Sequence, residues 1–181
     1  MKILVTGATS GLGRNAVQYL LQSGESVVAT GRNCEVGRSL TNAGAQFVAL
    51  DLTEASEDDC ARLMDGCDAV WHCAAKSSPW GDKTAFWLAN VKVTHTLAQA
   101  AGRLNIPRFI HISTPAVYFD FQHHNDLPET YLARAFSSHY ASSKYAAEQV
   151  IAGAVSRYSA TRFILLRPRG LFGPHDQVIV P

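Results

Sequence analysis

The stretch Thr6-Gly7-Ala8-Thr9-Ser10-Gly11-Leu12-Gly13 decides the fold. It follows the apolar run Ile3–Thr6 directly and opens a helical pattern over Leu12–Ser23. Strand, glycine-rich turn and helix in that order make a phosphate cradle. Gly7 permits the tight turn, Gly11 lets the backbone approach a pyrophosphate, and Gly13 allows close packing of helix on strand. The helix N-terminus presents unpaired N–H groups and a partial positive charge to phosphates. Thr9, Ser10 and Leu12 fill the turn and are further candidate cofactor contacts. A glycine-rich turn alone is also an ordinary tight turn. Its place between the first strand and the first helix favours the nucleotide.

Outward from this turn, short apolar runs alternate with helical patterns. The runs are Ile3–Thr6, Ser26–Thr30, Gln46–Leu50, Ala69–His72, Arg108–Ile112 and Arg162–Leu166. Their content of Val, Ile, Leu and Phe, without alternation, suits strands buried on both faces. Helical patterns cover Leu12–Ser23, Cys34–Ala43, Glu57–Met64, Thr84–Leu104 and Ser138–Tyr158. Ser56 with Asp59 three residues on reads as a capping box, and Gly24 as a helix-ending glycine. Pro107 separates the fourth helix from the fifth strand. The pattern predicts an α/β, Rossmann-type doubly wound parallel sheet of strand order 3-2-1-4-5-6. One long loop, Ser113–Ser137, lies beyond the carboxyl end of the fifth strand, where such sheets bind ligands.

The chain has 181 residues, 47% hydrophobic and 17% charged, with a formal net charge of +1. That composition fits one globular domain with a sizeable core. The charge gives no reason to expect nucleic acid or an anionic membrane as partner. No run approaches the roughly 20 apolar residues that cross a bilayer. Met1–Gly7 is too short an apolar run for a signal peptide. Cys34, Cys60, Cys67 and Cys73 form no Cys-x-x-Cys pair, and no His stands at zinc spacing. The expectation is a cytoplasmic protein with reduced, mostly buried thiols and no metal.

The second strand ends in Gly31-Arg32-Asn33, where an NAD site usually has an acidic residue for the ribose 2′-hydroxyl. A guanidinium suits a 2′-phosphate instead, which predicts NADP, with NAD the alternative. Arg32 is equally readable as a solvated surface charge. Asp51-Leu52, after the third strand, either holds the adenine edge or makes a plain turn. Ala74, Ala75 and Lys76, after the fourth strand, either lie along the cofactor ribose or pack tightly under the next helix.

Tyr140-Ala141-Ser142-Ser143-Lys144 sits in the last helical pattern, and a spacing of four puts Tyr140 and Lys144 on one face. A free phenol titrates near 10, and a neighbouring ammonium lowers that value. Lys144 is also able to hold the nicotinamide ribose. Ser113 and Thr114 end the fifth strand, where a hydroxyl stabilises developing charge on a carbonyl oxygen. Ser113 reads more simply as a strand-end cap, and Thr114 does not.

The residues Thr6–Gly13, Asp51-Leu52, His72–Ala75, Asn90-Val91, Ser113–Tyr118, Tyr140–Lys144 and Arg167-Pro168…Gly173-Pro174 span nearly the whole chain. In that order they resemble the extended branch of the short-chain dehydrogenase/reductase superfamily, the NAD-dependent epimerase/dehydratase family. The segment Lys76–Gly81 and the turn Ser113-Thr114-Pro115 are similar to its 3β-hydroxysteroid dehydrogenase-like group. The resemblance implies Tyr140 as catalytic acid/base, Lys144 as its electrostatic partner and Thr114 as the substrate-orienting hydroxyl. It implies that Asn90 ties the fourth helix to the strand-end backbone near the cofactor. It places Pro168 to Leu171 near the nicotinamide. It implies a small-molecule substrate and admits a homodimer through the fourth and fifth helices.

Departures from the pattern matter. Extended members usually have glycine at the position of Ser10, and Val117-Tyr118-Phe119 replaces Val-Tyr-Gly. Dehydratases place Asp-Glu after the Thr, where this chain has Pro115-Ala116, which counts against water elimination. Extended members also continue well past the Gly-Pro motif. Residues 1–181 are therefore expected to be a Rossmann domain cut before a substrate-binding lobe. The function expected is hydride transfer between nicotinamide and a secondary alcohol or ketone, possessing a hydrophobic or steroid-like body. A nucleotide-sugar epimerase and a non-catalytic NADP-binding module are the alternatives. His123 and His124 read as plain surface residues, His72 and His111 as packed and hydrogen-bonded. Phe86 and Trp87 read as packing aromatics, and Trp80 as either packing or a substrate entrance.

Overall fold

The computed structural model describes residues 1–78 and 80–175; Pro79, inside the Lys76–Gly81 segment, and residues 176–181 lie outside the described part. Six parallel strands form one sheet in the order β3-β2-β1-β4-β5-β6. They are β1 Lys2–Thr6, β2 Ser26–Gly31, β3 Gln46–Ala49, β4 Ala69–His72, β5 Arg108–Ile112 and β6 Arg162–Leu166. This is the doubly wound order read from the sequence. The register aligns Thr6 with Thr30 and His72, His72 with His111, and Ile112 with Leu166. The carboxyl ends thus form one edge, at which most of the candidate site residues gather.

Neighbouring residues of β1 feed two cores. Leu4 joins Val70, Leu97, Phe109 and Ile151 on one face, while Val5 joins Val17, Val27 and Leu40 on the other. Burying each such side chain contributes about 1.5–3 kcal/mol. The edge strands β3 and β6 are only half-buried, because each has a strand on one side alone.

The helices are α1 Gly11–Gln22, α2 Cys34–Asn42, α3 Glu57–Leu63, α4 Lys83–Phe86, α5 Val93–Arg103 and α6 His139–Arg157. Ser56 and Asp59 make the reciprocal capping box at the start of α3. Ser138 caps α6 by accepting from Ala141 N at 3.1 Å. Gly24 ends α1 in the left-handed region, with φ of +78°. The pattern Thr84–Leu104, expected as one regular helix, is interrupted by a π-helical turn at Trp87–Lys92 between α4 and α5. The Ser113–Ser137 loop opens with a 3-10 turn, Pro115–Tyr118. Its next part is tied internally: Tyr131 Oη donates to Asp120 at 2.5 Å, and His124 Nε2 lies 2.9 Å from the same carboxylate. His124 is an exposed residue, as expected, whose imidazole rests on Asp120 and Tyr131. No helix among the described residues is long and apolar enough to cross a membrane.

Candidate active site at the carboxyl edge of the sheet

A crevice of about 960 Å³ opens along the carboxyl ends of the strands. It brings together Gly7, Thr9, Ser10, Gly11, Leu12 and Gly13 from the glycine turn, and Arg32, Asp51 and Leu52 from the ends of β2 and β3. It continues past Ala74, Ala75 and Lys76 to Ser113, Thr114, Tyr140 and Lys144, and is closed by Pro168 and Leu171. Two candidates stand outside it. Asn33 caps α2, its Oδ1 accepting from Glu35 N and Val36 N at 3.0 and 3.1 Å. Asn90 is buried beneath the wall.

The glycine turn fits a group that needs bare backbone. A Cβ on Gly7 would stand 2.8 Å from Ala74 Cα, and one on Gly13 would stand 2.2 Å from the Gly7 carbonyl oxygen. Both glycines are required by the protein's own packing. Gly11 differs: its φ is +45° and nothing lies within 4 Å of its missing side chain. That position faces open space at the head of α1, where the free N–H groups of the first turn point. Asn15, which the sequence reading did not single out, pins this turn. Its Nδ2 donates to the Gly11 and Pro174 carbonyls at 3.0 and 2.6 Å.

Arg32 is largely exposed, with Nη1 3.7 Å from Asp51 Oδ2. Asp51 also accepts from the Thr53 N–H and hydroxyl at 3.0 and 2.8 Å, and these bonds hold its carboxyl below the usual range. Asp51 thus makes the turn, and it also lines the crevice.

A buried polar chain fixes the wall after β4. Thr94 donates to the Asn90 carbonyl at 2.6 Å, so its oxygen accepts from His72 Nε2 at 3.0 Å. His72 Nδ1 then accepts from Thr6 Oγ1 at 2.8 Å, and Thr6 accepts from Ala74 N at 3.1 Å. Asn90 grips Lys76 at both backbone groups, accepting at 2.7 Å and donating at 3.1 Å, and donates to Ser143 at 2.9 Å. Burial pushes the His72 imidazole down to about 3, so it stays neutral in this chain of bonds. His111 is equally buried, but neither ring nitrogen has a hydrogen-bond partner among the described residues. It is packed, as expected, and is not hydrogen-bonded.

Lys144 is buried, and its Nζ donates to the Ile112 carbonyl at 2.6 Å. Burial lowers its ammonium to about 8, opposed by the charges of Glu148 and Cys73. Tyr140 behaves differently from the expectation. Burial raises the phenol above its ordinary value, with the Thr114 hydroxyl opposing the rise. The ammonium that was expected to lower it is instead turned onto the end of β5. Thr114 also accepts from Ala116 N at 3.2 Å, so it caps the 3-10 turn as well as facing the crevice. Phe86 is buried beside Tyr140, ring centroids 6.5 Å apart, while Trp87 is partly exposed and Trp80 almost fully so. Among the described residues no cluster of His, Cys, Asp or Glu is arranged to hold a metal.

The fold and its carboxyl-edge crevice define a Rossmann-type protein. The model of the NAD dependent epimerase/dehydratase family matches residues 3–179, and the chain belongs to that family. It is the extended short-chain dehydrogenase/reductase group that the motifs resemble. The uncharacterized protein YbjS of Escherichia coli is 49% identical over 181 residues, covering 100% of this chain and 54% of that protein. A 2-alkyl-3-oxoalkanoate reductase of Shewanella oneidensis is 33% identical over 185 residues, covering 98% and 46%. Among solved structures, UDP-glucuronic acid 4-epimerase from Bacillus cereus, in complex with UDP-glucuronic acid and NAD, matches with a TM-score of 0.81. It shares 28% identity and covers 92% of this chain and 56% of that one. The chain spans about half the length of the curated relatives it matches.

Proposed function

We propose that this chain carries the cofactor crevice and proton-transfer centre of an NADP(H)-dependent reductase acting on a ketone. The observation that carries this reading is the presence of Thr114, Tyr140 and Lys144 along the same crevice as the glycine turn. The bare Gly11 position and the head of α1 would hold the pyrophosphate. Arg32 would meet a 2′-phosphate, because its guanidinium is exposed at that end and only loosely held by Asp51. The cofactor supplies hydride to the carbonyl carbon; the remaining work falls to this chain. Thr114 orients the carbonyl oxygen, and Tyr140 delivers the proton to it. The phenol is the group placed to give the oxygen its proton in reduction and to take it back in oxidation. The Lys144 ammonium, held on the Ile112 carbonyl, lines the same crevice and would meet the nicotinamide ribose.

The substrate class follows from the surroundings. Leu88, Ala89, Leu171 and Phe172 line the same crevice as Tyr140, which suits an apolar body. The 2-alkyl-3-oxoalkanoate reductase relative acts on a substrate of that kind by its name. A nucleotide-sugar epimerase is the second reading, favoured by the likeness to the UDP-glucuronic acid 4-epimerase. Tyr140→Phe tests the centre. It should lower kcat by about a hundredfold or more and leave cofactor affinity intact. Near-normal turnover would sink the assignment. Bound cofactor that resists dialysis, with no net NADPH consumption, would select the epimerase.

A further inference from the structure

Arg167 belongs to the Arg-Pro motif, yet the proposed chemistry leaves its guanidinium without a task. The structure gives it four hydrogen bonds to three residues. Nε and Nη2 donate to Glu148 Oε1 and Oε2 at 2.8 and 2.5 Å, and Nη1 donates to the Tyr118 hydroxyl at 2.5 Å and the Glu129 carbonyl at 2.7 Å. The guanidinium also lies 4.9 Å from the centre of the Tyr118 ring. Tyr118 and Glu129 both lie within the Ser113–Ser137 loop and bracket its middle part. One side chain therefore clasps two separate points of that loop.

Glu148 is 4% exposed and lies on α6. Residues 140, 144 and 148 are successive turns of one helix face. Glu148 Oε1 accepts from the Ser113 hydroxyl at 2.5 Å, and Ser113 is the neighbour of Thr114. A carboxylate this deeply buried persists only when paired. Here the pairing is bidentate, and its geometry fixes direction as well as charge.

We propose that Glu148 and Arg167 are a positioning pair: they hold the Thr114-bearing end of β5 and the base of the Tyr118–Glu129 loop against the helix face carrying Tyr140 and Lys144. The proposal rests on the function proposed above. Neither residue touches the reacting atoms, since neither lines the crevice. The groups around Lys144 are Tyr140 and Glu148 on its own helix, Cys73 after β4, and His72 and His111 on β4 and β5. Both imidazoles are held neutral by burial, and burial pushes the Cys73 thiol up to about 12. Glu148 is thus the standing negative charge facing the ammonium.

Glu148→Gln keeps the side-chain shape and removes the charge. Two readouts are expected to move together. The Lys144 side-chain titration, followed by NMR of the labelled lysines, should drop by about one unit or more from its midpoint near 8. kcat should fall by up to about a hundredfold while KM changes little, because orientation and not binding is lost. Arg167→Lys retains a positive charge but not the fork. It should leave the titration nearer to wild type and still lower kcat. A folded Glu148→Gln variant with wild-type titration and wild-type kcat overturns the proposal. If that variant fails to fold, the double variant Glu148→Gln/Arg167→Met removes both charges and is read by the same two measurements. A fully active Tyr140→Phe would defeat the parent reading alone, because the Lys144 titration still decides whether Glu148 governs that amine.

Discussion

The imidazole of His72 lies 5.2 Å from that of His111, tilted by 42°, and both rings are buried where β4 and β5 meet beneath the crevice. His72 is bonded at both nitrogens, and His111 at neither. Protonating either would place a charge beside the Lys144 ammonium.

This pair predicts an acid limb in stability. Burial depresses both imidazoles in the folded state, His72 to about 3. Below pH 6.5 the unfolded chain takes up protons that the folded chain refuses. Stability is therefore full above that pH and is lost progressively as pH falls below it. Urea unfolding of wild type and His111→Leu between pH 7 and 4 checks this. The variant should show the shallower slope; parallel slopes would count against the depressed imidazole.

Arg32 predicts cofactor choice. Arg32→Ala should weaken NADPH binding by about tenfold or more, the loss of one charge-assisted contact, and leave NADH binding nearly unchanged. Fluorescence titration with both cofactors measures it. Equal losses for the two would mean that Arg32 meets no 2′-phosphate.

Gly13 predicts a steric effect. A methyl group there would collide with backbone at 2.2 Å, which no rotamer change relieves. Gly13→Ala should destabilise the protein by about 1–3 kcal/mol and weaken cofactor binding together. Denaturation midpoints and a cofactor titration report the two effects. A stable variant with normal affinity would show that the turn yields more easily than its geometry indicates.

The thiols predict a reactivity order. Cys34 is exposed; burial raises the thiol of Cys60 to about 11 and that of Cys73 to about 12, and also raises Cys67. A thiol reagent at pH 8 should modify one cysteine quickly in the native protein and all four after unfolding. Rapid modification of Cys73 would mean that the crevice opens in solution.

Much of the architecture was legible. The six apolar runs match the strands within a residue at each end, because buried parallel strands leave an unbroken apolar signature. The capping box at Ser56 and Asp59 was equally plain, being local. The crevice gathers most of the motif residues because they fall at strand ends or, like Tyr140 and Lys144, in the first turns of a helix packed beside them. Other features depend on contacts distant in sequence. Glu148, on the helix face that also carries Tyr140 and Lys144, gives no sign that Arg167 will meet it 19 positions later. The missing partners of His111 and the His124–Asp120–Tyr131 cluster likewise emerge only in three dimensions. The raised phenol of Tyr140 escaped the spacing argument because four residues define a face, not where the ammonium points.

The wide turn at Trp87–Lys92 has a bearing on how this helix tolerates change in length. Such a turn stores one surplus residue within an otherwise regular helix. Deleting a position there lets α4 and α5 fuse into a continuous cylinder while Thr94 and Leu97 keep their orientation toward the sheet. The same deletion inside α5 would swing every later side chain by about 100° around the axis. Relatives one residue shorter in this helix should therefore carry the gap between 87 and 92. They would surrender the grip of Asn90 on Lys76 and preserve the interior beneath it.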